Sequence, residues 1–223
     1  MWCLQRNKIQ IPQIPRHKQR MGNLSPDTAS SRHRALLAAK IISRITEPLI
    51  WLPLMIWLVL QNVSLPVHKQ VVYFPVLLLF VFVIPFGYFM YLILVRKEFD
   101  VDITQRIKRV DFTLKCMASF AVAVGITFFL NRELFIITGA VFLATLSLVL
   151  VTIYWKISFH GGLNTLIYST VMYLYGWQFL WLLLILIPIG WARLTMNKHD
   201  LSQYAAGILL SAAVFFAVTG LFC

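Results

Sequence analysis

Carboxylates are scarce in this chain. Its 223 residues hold 8 Asp and Glu against 20 Lys and Arg, a formal net charge of +12. Asp100 and Asp102 form a DxD pair, too thin a constellation to hold magnesium well. Cysteine is scarcer still. Cys3, Cys116 and Cys223 are odd in number, widely spaced and without a CxxC pair, which excludes a disulfide framework and a zinc site. No metal and no cofactor is expected. The N-terminus has no early apolar core followed by a small-residue cleavage site, so no secretory signal is expected. Residues 1–20 show no structural pattern, which leaves Met21 as a candidate start. The apolar stretches run on without alternating polar residues, and this argues against a transmembrane β-barrel.

What is abundant is hydrocarbon. The chain is 60% hydrophobic with a mean hydropathy of +0.78, well above a soluble domain of this length. Seven apolar segments fall at about 46–62, 71–95, 112–130, 134–154, 161–175, 177–191 and 202–222. Most approach the roughly 20 residues that a helix needs to cross a bilayer. The fifth and sixth are short and meet at Gly176. The expected fold is all-α, a polytopic bundle of six to seven transmembrane helices. Residues 46–223 form this membrane domain and 1–45 a basic, largely disordered tail with a juxtamembrane helix.

The tail carries Arg6, Lys8, Arg16, Lys18, Arg20, Arg32, Arg34, Lys40 and Arg44 against one acid, Asp27. No folded nucleic-acid module accompanies it, so anionic lipid rather than nucleic acid is the expected partner. Arg96, Lys97, Arg106, Lys108 and Arg109 follow the second span, Lys156 the fourth, and Arg193 and Lys198 the sixth. The opposite loops carry Lys69 and Arg132. This bias puts the N-terminus and the polar clusters on the cytoplasmic side. An even number of spans separates the 96–110 loop from 156–160, and 156–160 from 193–200. Whatever the orientation, all three belong to one membrane face and can converge.

Two clusters carry the chemistry: Lys156-Ile157-Ser158-Phe159-His160, and Arg193 through Gln203. Imidazoles and cations at a bilayer edge are costly unless they bind something, and an anion is the natural ligand. Cleaving a phosphoester needs a nucleophile, a proton donor for the leaving oxygen, and cations around the equatorial oxygens. His199 and His160 can fill the first two roles, because imidazole titrates near neutral pH. Arg193, Lys156, Arg109 and Arg106 can bind oxygens, Arg in bidentate fashion. Ser158 adds a hydroxyl, and the helix start after His160 offers amides to an anion. Asn164 and Thr165, one turn on, can line the pocket or bond a neighbouring helix.

This layout resembles the type 2 phosphatidic acid phosphatase superfamily, which includes lipid phosphate phosphatases and polyprenyl pyrophosphate phosphatases. That family shows a lysine seven residues before Arg-Pro, then Pro-Ser-Gly-His, then Ser-Arg, five residues, His, three residues and Asp. Ser158-Phe159-His160 falls on the second motif, with Ile157 for its proline and Phe159 for its glycine. Ala192-Arg193, His199 and Gln203 fall on the third, with the Arg-to-His spacing kept. The resemblance covers roughly residues 96 to 210. It implies that His199 takes the phosphoryl group, His160 protonates the leaving group, and Arg193 and Ser158 hold phosphate.

Three positions depart from the pattern. Asp102 stands at the lysine position of the first motif, Val110 follows Arg109, and Gln203 replaces the aspartate that orients the nucleophile. Asp102, Arg106 and Arg109 share one helical face instead. Gln203, one turn from His199, can still accept an imidazole N–H. The expected function is hydrolysis of a lipid phosphate or polyprenyl pyrophosphate through phosphohistidine. The alternative is a weak or inactive relative that binds anionic lipid headgroups. A magnesium-dependent transferase using Asp100 and Asp102, and an anion transporter, are the more distant readings.

Overall fold

The computed structural model describes residues 26–96 and 106–222, with side chains from 30 in the first stretch and from 110 in the second. The chain divides into two compact units between Ala35 and Leu36. Of the first, only the opening turns of one helix are described. The second holds the helical bundle.

Among the described residues all regular structure is helical: α1 (Pro26–Ile45), α2 (Pro48–Asn62), α3 (Val67–Leu78), a π-helical turn (Leu79–Val83), α4 (Ile84–Leu94), α5 (Arg106–Leu130), α6 (Arg132–Tyr154), α7 (Phe159–Tyr175), a 3₁₀ segment (Trp177–Ile185), α8 (Leu186–Thr195) and α9 (Leu201–Phe222). Six stretches are long and apolar enough to cross a membrane: Ser30–Asn62, Val67–Leu94, Val110–Leu130, Arg132–Tyr154, Trp177–Thr195 and Leu201–Phe222. This is an integral membrane protein built as a helical bundle. Large side chains such as Phe129, Leu184 and Leu209 are exposed, as lipid contact requires.

Helix α7, the fifth apolar segment, has 17 residues and is not among these six. At 1.5 Å per residue it is about 26 Å long, close to the thickness of the hydrocarbon core. It is also the most enclosed. His160, Gly161, Gly162, Asn164, Thr165, Leu166, Ser169, Thr170 and Met172 are all buried, and α7 packs on α2, α6, α8, α9 and the 3₁₀ segment. Helices α2 and α7 run in the same direction. Thr46, just before α2, meets His160 at the start of α7, and Asn62 at the end of α2 donates to the Tyr175 hydroxyl at the end of α7, at 2.7 Å. Two apolar clusters pack the bundle: Leu60 of α2 with Leu134 and Ile137 of α6, and Leu166 of α7 with Ala140 and Ala144 of α6 and Phe215 of α9.

Chain reversals follow residue chemistry. Asn131 accepts the Leu134 N–H at 3.0 Å and starts α6 one residue after α5 ends. Gly176, with φ +95°, closes α7 in a conformation that side-chain-bearing residues avoid. The 3₁₀ segment and α8 then return, which makes the short fifth and sixth apolar segments a hairpin hinged at Gly176.

One distortion has a single cause. Pro85 has no N–H to give, so the helix ladder before it cannot close normally. The chain takes a π turn at Leu79–Val83, and the carbonyl of Phe80 accepts the Ser119 hydroxyl of α5 at 2.6 Å. In lipid an unmet carbonyl is expensive, so a neighbouring hydroxyl is the natural remedy. Ser119→Ala is expected to cost about 1–2 kcal/mol in detergent unfolding, and the loss should vanish when Pro85 is also replaced by Ala.

Candidate active site

The ends of α1, α7, α8 and α9 meet, and each end is shaped by a local signal. Ser158 caps α7, its hydroxyl accepting the Gly161 N–H at 3.3 Å. Helix α8 ends with Asn197 in the left-handed region at φ +54°. The Lys198 N–H returns to the Arg193 carbonyl at 3.1 Å and the Asn197 N–H to the Leu194 carbonyl at 2.9 Å. This paired closure is the Schellman arrangement, and Asn tolerates its left-handed position better than most residues. Asp200 then opens α9, its carboxylate accepting the Gln203 N–H at 2.8 Å and the Ser202 hydroxyl at 2.6 Å. The Ser202 hydroxyl, with the Gln203 amide, holds the Asp200 carboxyl below its ordinary value. Its support of α9 is therefore present at neutral pH and lost only as pH falls through that lowered value.

The turn between the two caps fixes the Arg193-to-His199 spacing in space as well as in sequence. His199 lies just before the Asp200 cap, and its Nδ1 is 3.2 Å from Gln203 Oε1. A carbonyl oxygen accepts, so Nδ1 is the donor of this pair, and in the neutral ring the lone pair then lies on Nε2. The backbone carbonyl of Gln203 accepts the Ser158 N–H at 3.1 Å. The second and third polar clusters are thus joined by a direct backbone bond.

Helix α1 supplies the remaining contacts. Arg193 Nη1 donates to Ser43 Oγ at 3.2 Å. Three residues on, Thr46 Oγ1 lies 3.2 Å from His160 Nε2 while donating to the Ile42 carbonyl at 2.8 Å. His160 Nδ1 is 3.9 Å from Glu47 Oε2. Asn164 donates from one amide to the Thr46 carbonyl at 3.0 Å and the His160 carbonyl at 2.8 Å. Residues 43 and 46 share a helix face, so Arg193 and His160 are held one turn apart along α1.

Ser158, His160, Arg193, His199 and Gln203 therefore belong to one end of the bundle. Lys156 lies exposed in the linker before Ser158. Arg106 and Arg109 are in the first turns of α5, with side chains outside the described residues, and Asp102 lies outside them altogether. Described α5 packs on α4, α6 and the π turn. Sequence reasoning missed Ser43, Thr46 and Glu47. The signal was available: a hydroxyl, a hydroxyl and an acid at the edge of an apolar span are costly there, as the other two clusters are. Among the described residues no three His, Cys, Asp or Glu side chains cluster as a metal site.

Close packing holds the arrangement together. A Cβ added at Gly207 would stand 2.5 Å from the Ser158 carbonyl oxygen, and backbone on both sides cannot yield. Gly207→Ala should destabilise the protein by about 1–3 kcal/mol in a thermal melt. Gly220→Ala, on the same helix with no atom within 4 Å of the added methyl, should leave the melt unchanged. No protein-family model matches this chain, and neither a curated protein nor a solved structure matches it.

Proposed function

We propose that this protein is a membrane phosphatase, hydrolysing a lipid phosphate or polyprenyl pyrophosphate at the headgroup level of the cytoplasmic face. The observation that carries the reading is His199. Its Nδ1 is engaged by Gln203 Oε1, and in the neutral ring this pairing puts the nucleophilic lone pair on Nε2, at the bundle end that also carries Arg193 and Ser158. The motif resemblance, the backbone bond between Ser158 and Gln203 and the shared α1 contacts of His160 and Arg193 all support it.

In this reading Arg193 neutralises the phosphate oxygens and the Ser158 region offers helix-start amides. Nε2 of His199 attacks phosphorus, and His160 gives a proton to the departing oxygen. Water then cleaves the phosphohistidine, with neutral His160 accepting its proton. The catalytic roles of His199, His160 and Gln203 and the phosphate-binding roles of Arg193, Ser158, Lys156, Arg109 and Arg106 rest on this proposal. The exposed position of Lys156 favours it as a headgroup contact. The cytoplasmic assignment rests on loop charge and on the basic N-terminal segment.

One observation favours a second reading. Gln203 is neutral where a nucleophilic histidine is helped by a carboxylate, which suits a weak or inactive protein that binds anionic lipid headgroups. Purified protein assayed with dioctanoyl phosphatidate separates the two. Wild type should turn over and form a transient, acid-labile phosphoenzyme, and His199→Ala should lose about a thousandfold or more in rate. Equal turnover in the two proteins overturns the assignment. Binding of phosphatidate vesicles without turnover selects the second reading.

A further inference from the structure

Glu47 has no counterpart among the three motifs, yet its carboxylate faces the buried histidine of the second. The His160 side chain is 6% exposed, whereas that of Glu47 is 37% exposed. Both ring nitrogens have partners: Glu47 Oε2 at 3.9 Å from Nδ1 and Thr46 Oγ1 at 3.2 Å from Nε2. Thr46 already donates its hydroxyl hydrogen to the Ile42 carbonyl, so its oxygen is an acceptor towards the ring. At 3.9 Å the Glu47 carboxylate faces Nδ1 as an ion-pair partner rather than a hydrogen-bond acceptor, and an ion pair exists only with the protonated ring, which can also donate from Nε2 to Thr46.

The backbone fixes the pair. Pro48 begins α2, and the Asn164 amide ties the Thr46 carbonyl to the first turn of α7 at 3.0 Å. The short bend between α1 and α2 is therefore attached to the same helix turn that carries His160. We propose that Glu47 is the positioning residue for His160, holding it protonated with its Nε2–H directed to the leaving-group oxygen, while Thr46 is its resting partner. This rests on the phosphatase reading above.

The step balances. The Nε2–H bond of the His160 imidazolium breaks and its proton goes to the leaving oxygen as the P–O bond breaks and the His199 Nε2–P bond forms. The neutral ring then takes a proton from the attacking water as the N–P bond breaks, and inorganic phosphate leaves. Glu47 stays ionised throughout and faces Nδ1–H as its ion-pair partner. Among the described residues, the charged or titratable groups at this end of the bundle include Arg193 of α8, bonded to Ser43 one turn before Thr46, and His199 of α9, linked through Gln203 to Ser158. A cation at this end of the bundle opposes protonation of His160, and the Glu47 carboxylate at 3.9 Å acts in the opposite sense. The Tyr204 ring, from α9, packs against Gly161 and donates its hydroxyl to the Leu186 carbonyl instead.

A positioning residue for an acid matters most when the leaving group is poor. The test compares wild type, Glu47→Gln and Glu47→Asp on dioctanoyl phosphatidate, a poor leaving group, and p-nitrophenyl phosphate, a good one. Glu47→Gln should lose about tenfold or more in kcat/KM on phosphatidate and less than about threefold on p-nitrophenyl phosphate. Glu47→Asp should recover part of the difference. Independently, the His160 imidazole, assigned in labelled full-length protein by its loss in His160→Gln, should titrate roughly one pH unit lower in Glu47→Gln. Equal losses on both substrates, or an unmoved titration, overturn the proposal. A titration that moves in a protein with no turnover upholds the Glu47–His160 pairing and overturns the phosphatase reading.

Discussion

Everything at the candidate site depends on how closely α9 approaches the start of α7. Gly207 lets the Ser158 carbonyl come against the α9 backbone, and Gly162 faces the same crossing, so two helices meet backbone to backbone. In lipid there is no hydrophobic gain from hiding one leucine behind another, so close packing and hydrogen bonds must hold helices together. The approach permits the Ser158 N–H to reach the Gln203 carbonyl. That bond fixes the residue that engages His199 relative to the cap that starts α7. A wider crossing would leave each cluster intact on its own helix and separate them from one another.

The same economy governs three of the buried polar side chains of α7. Thr165 and Thr170 return their hydroxyls to the carbonyls four residues back, at 2.9 and 2.8 Å, and Asn164 divides its amide between its own helix and α1. Groups satisfied within their own helix cost little to bury and exert no pull on a neighbour. His160 and Arg193 are different. They reach across to α1, and it is there that the site acquires a third wall.

Much of this was legible in the sequence. Hydropathy alone indicates the helical bundle, the short α7 and the turn at Gly176, because crossing hydrocarbon imposes length and leaves few alternatives. Span parity puts the 156–160 and 193–203 clusters at one end. The glutamine-to-histidine spacing of one turn anticipates the Gln203 contact. The α1 contribution was not legible. Residues 43–47 look like the polar edge of any first span, and nothing local says that the helix from residue 48 lies parallel to α7. Side-chain convergence between segments more than a hundred residues apart is a tertiary fact, and periodicity carries no trace of it. Nor does the sequence foresee a π turn ahead of Pro85, since Pro interrupts a ladder without saying how the freed carbonyl is met.

Gln203 is where the proposed chemistry is most particular to this chain. When His199 Nε2 bonds phosphorus while Nδ1 keeps its hydrogen, the ring becomes cationic. An aspartate in the place of Gln203 would neutralise that ring and so favour both the approach to the phosphoenzyme and its persistence. A neutral amide offers only the dipole of its carbonyl at 3.2 Å, which is a weaker partner for a cation than a carboxylate. On the proposed mechanism the first step would thereby be slower, and the phosphohistidine, less stabilised, would be a better phosphoryl donor to water. Substituting Gln for a carboxylate therefore shifts the balance between the two steps. On the proposed mechanism such an enzyme accumulates little phosphoenzyme and is limited by attack on the substrate, where a well-placed proton from His160 contributes most.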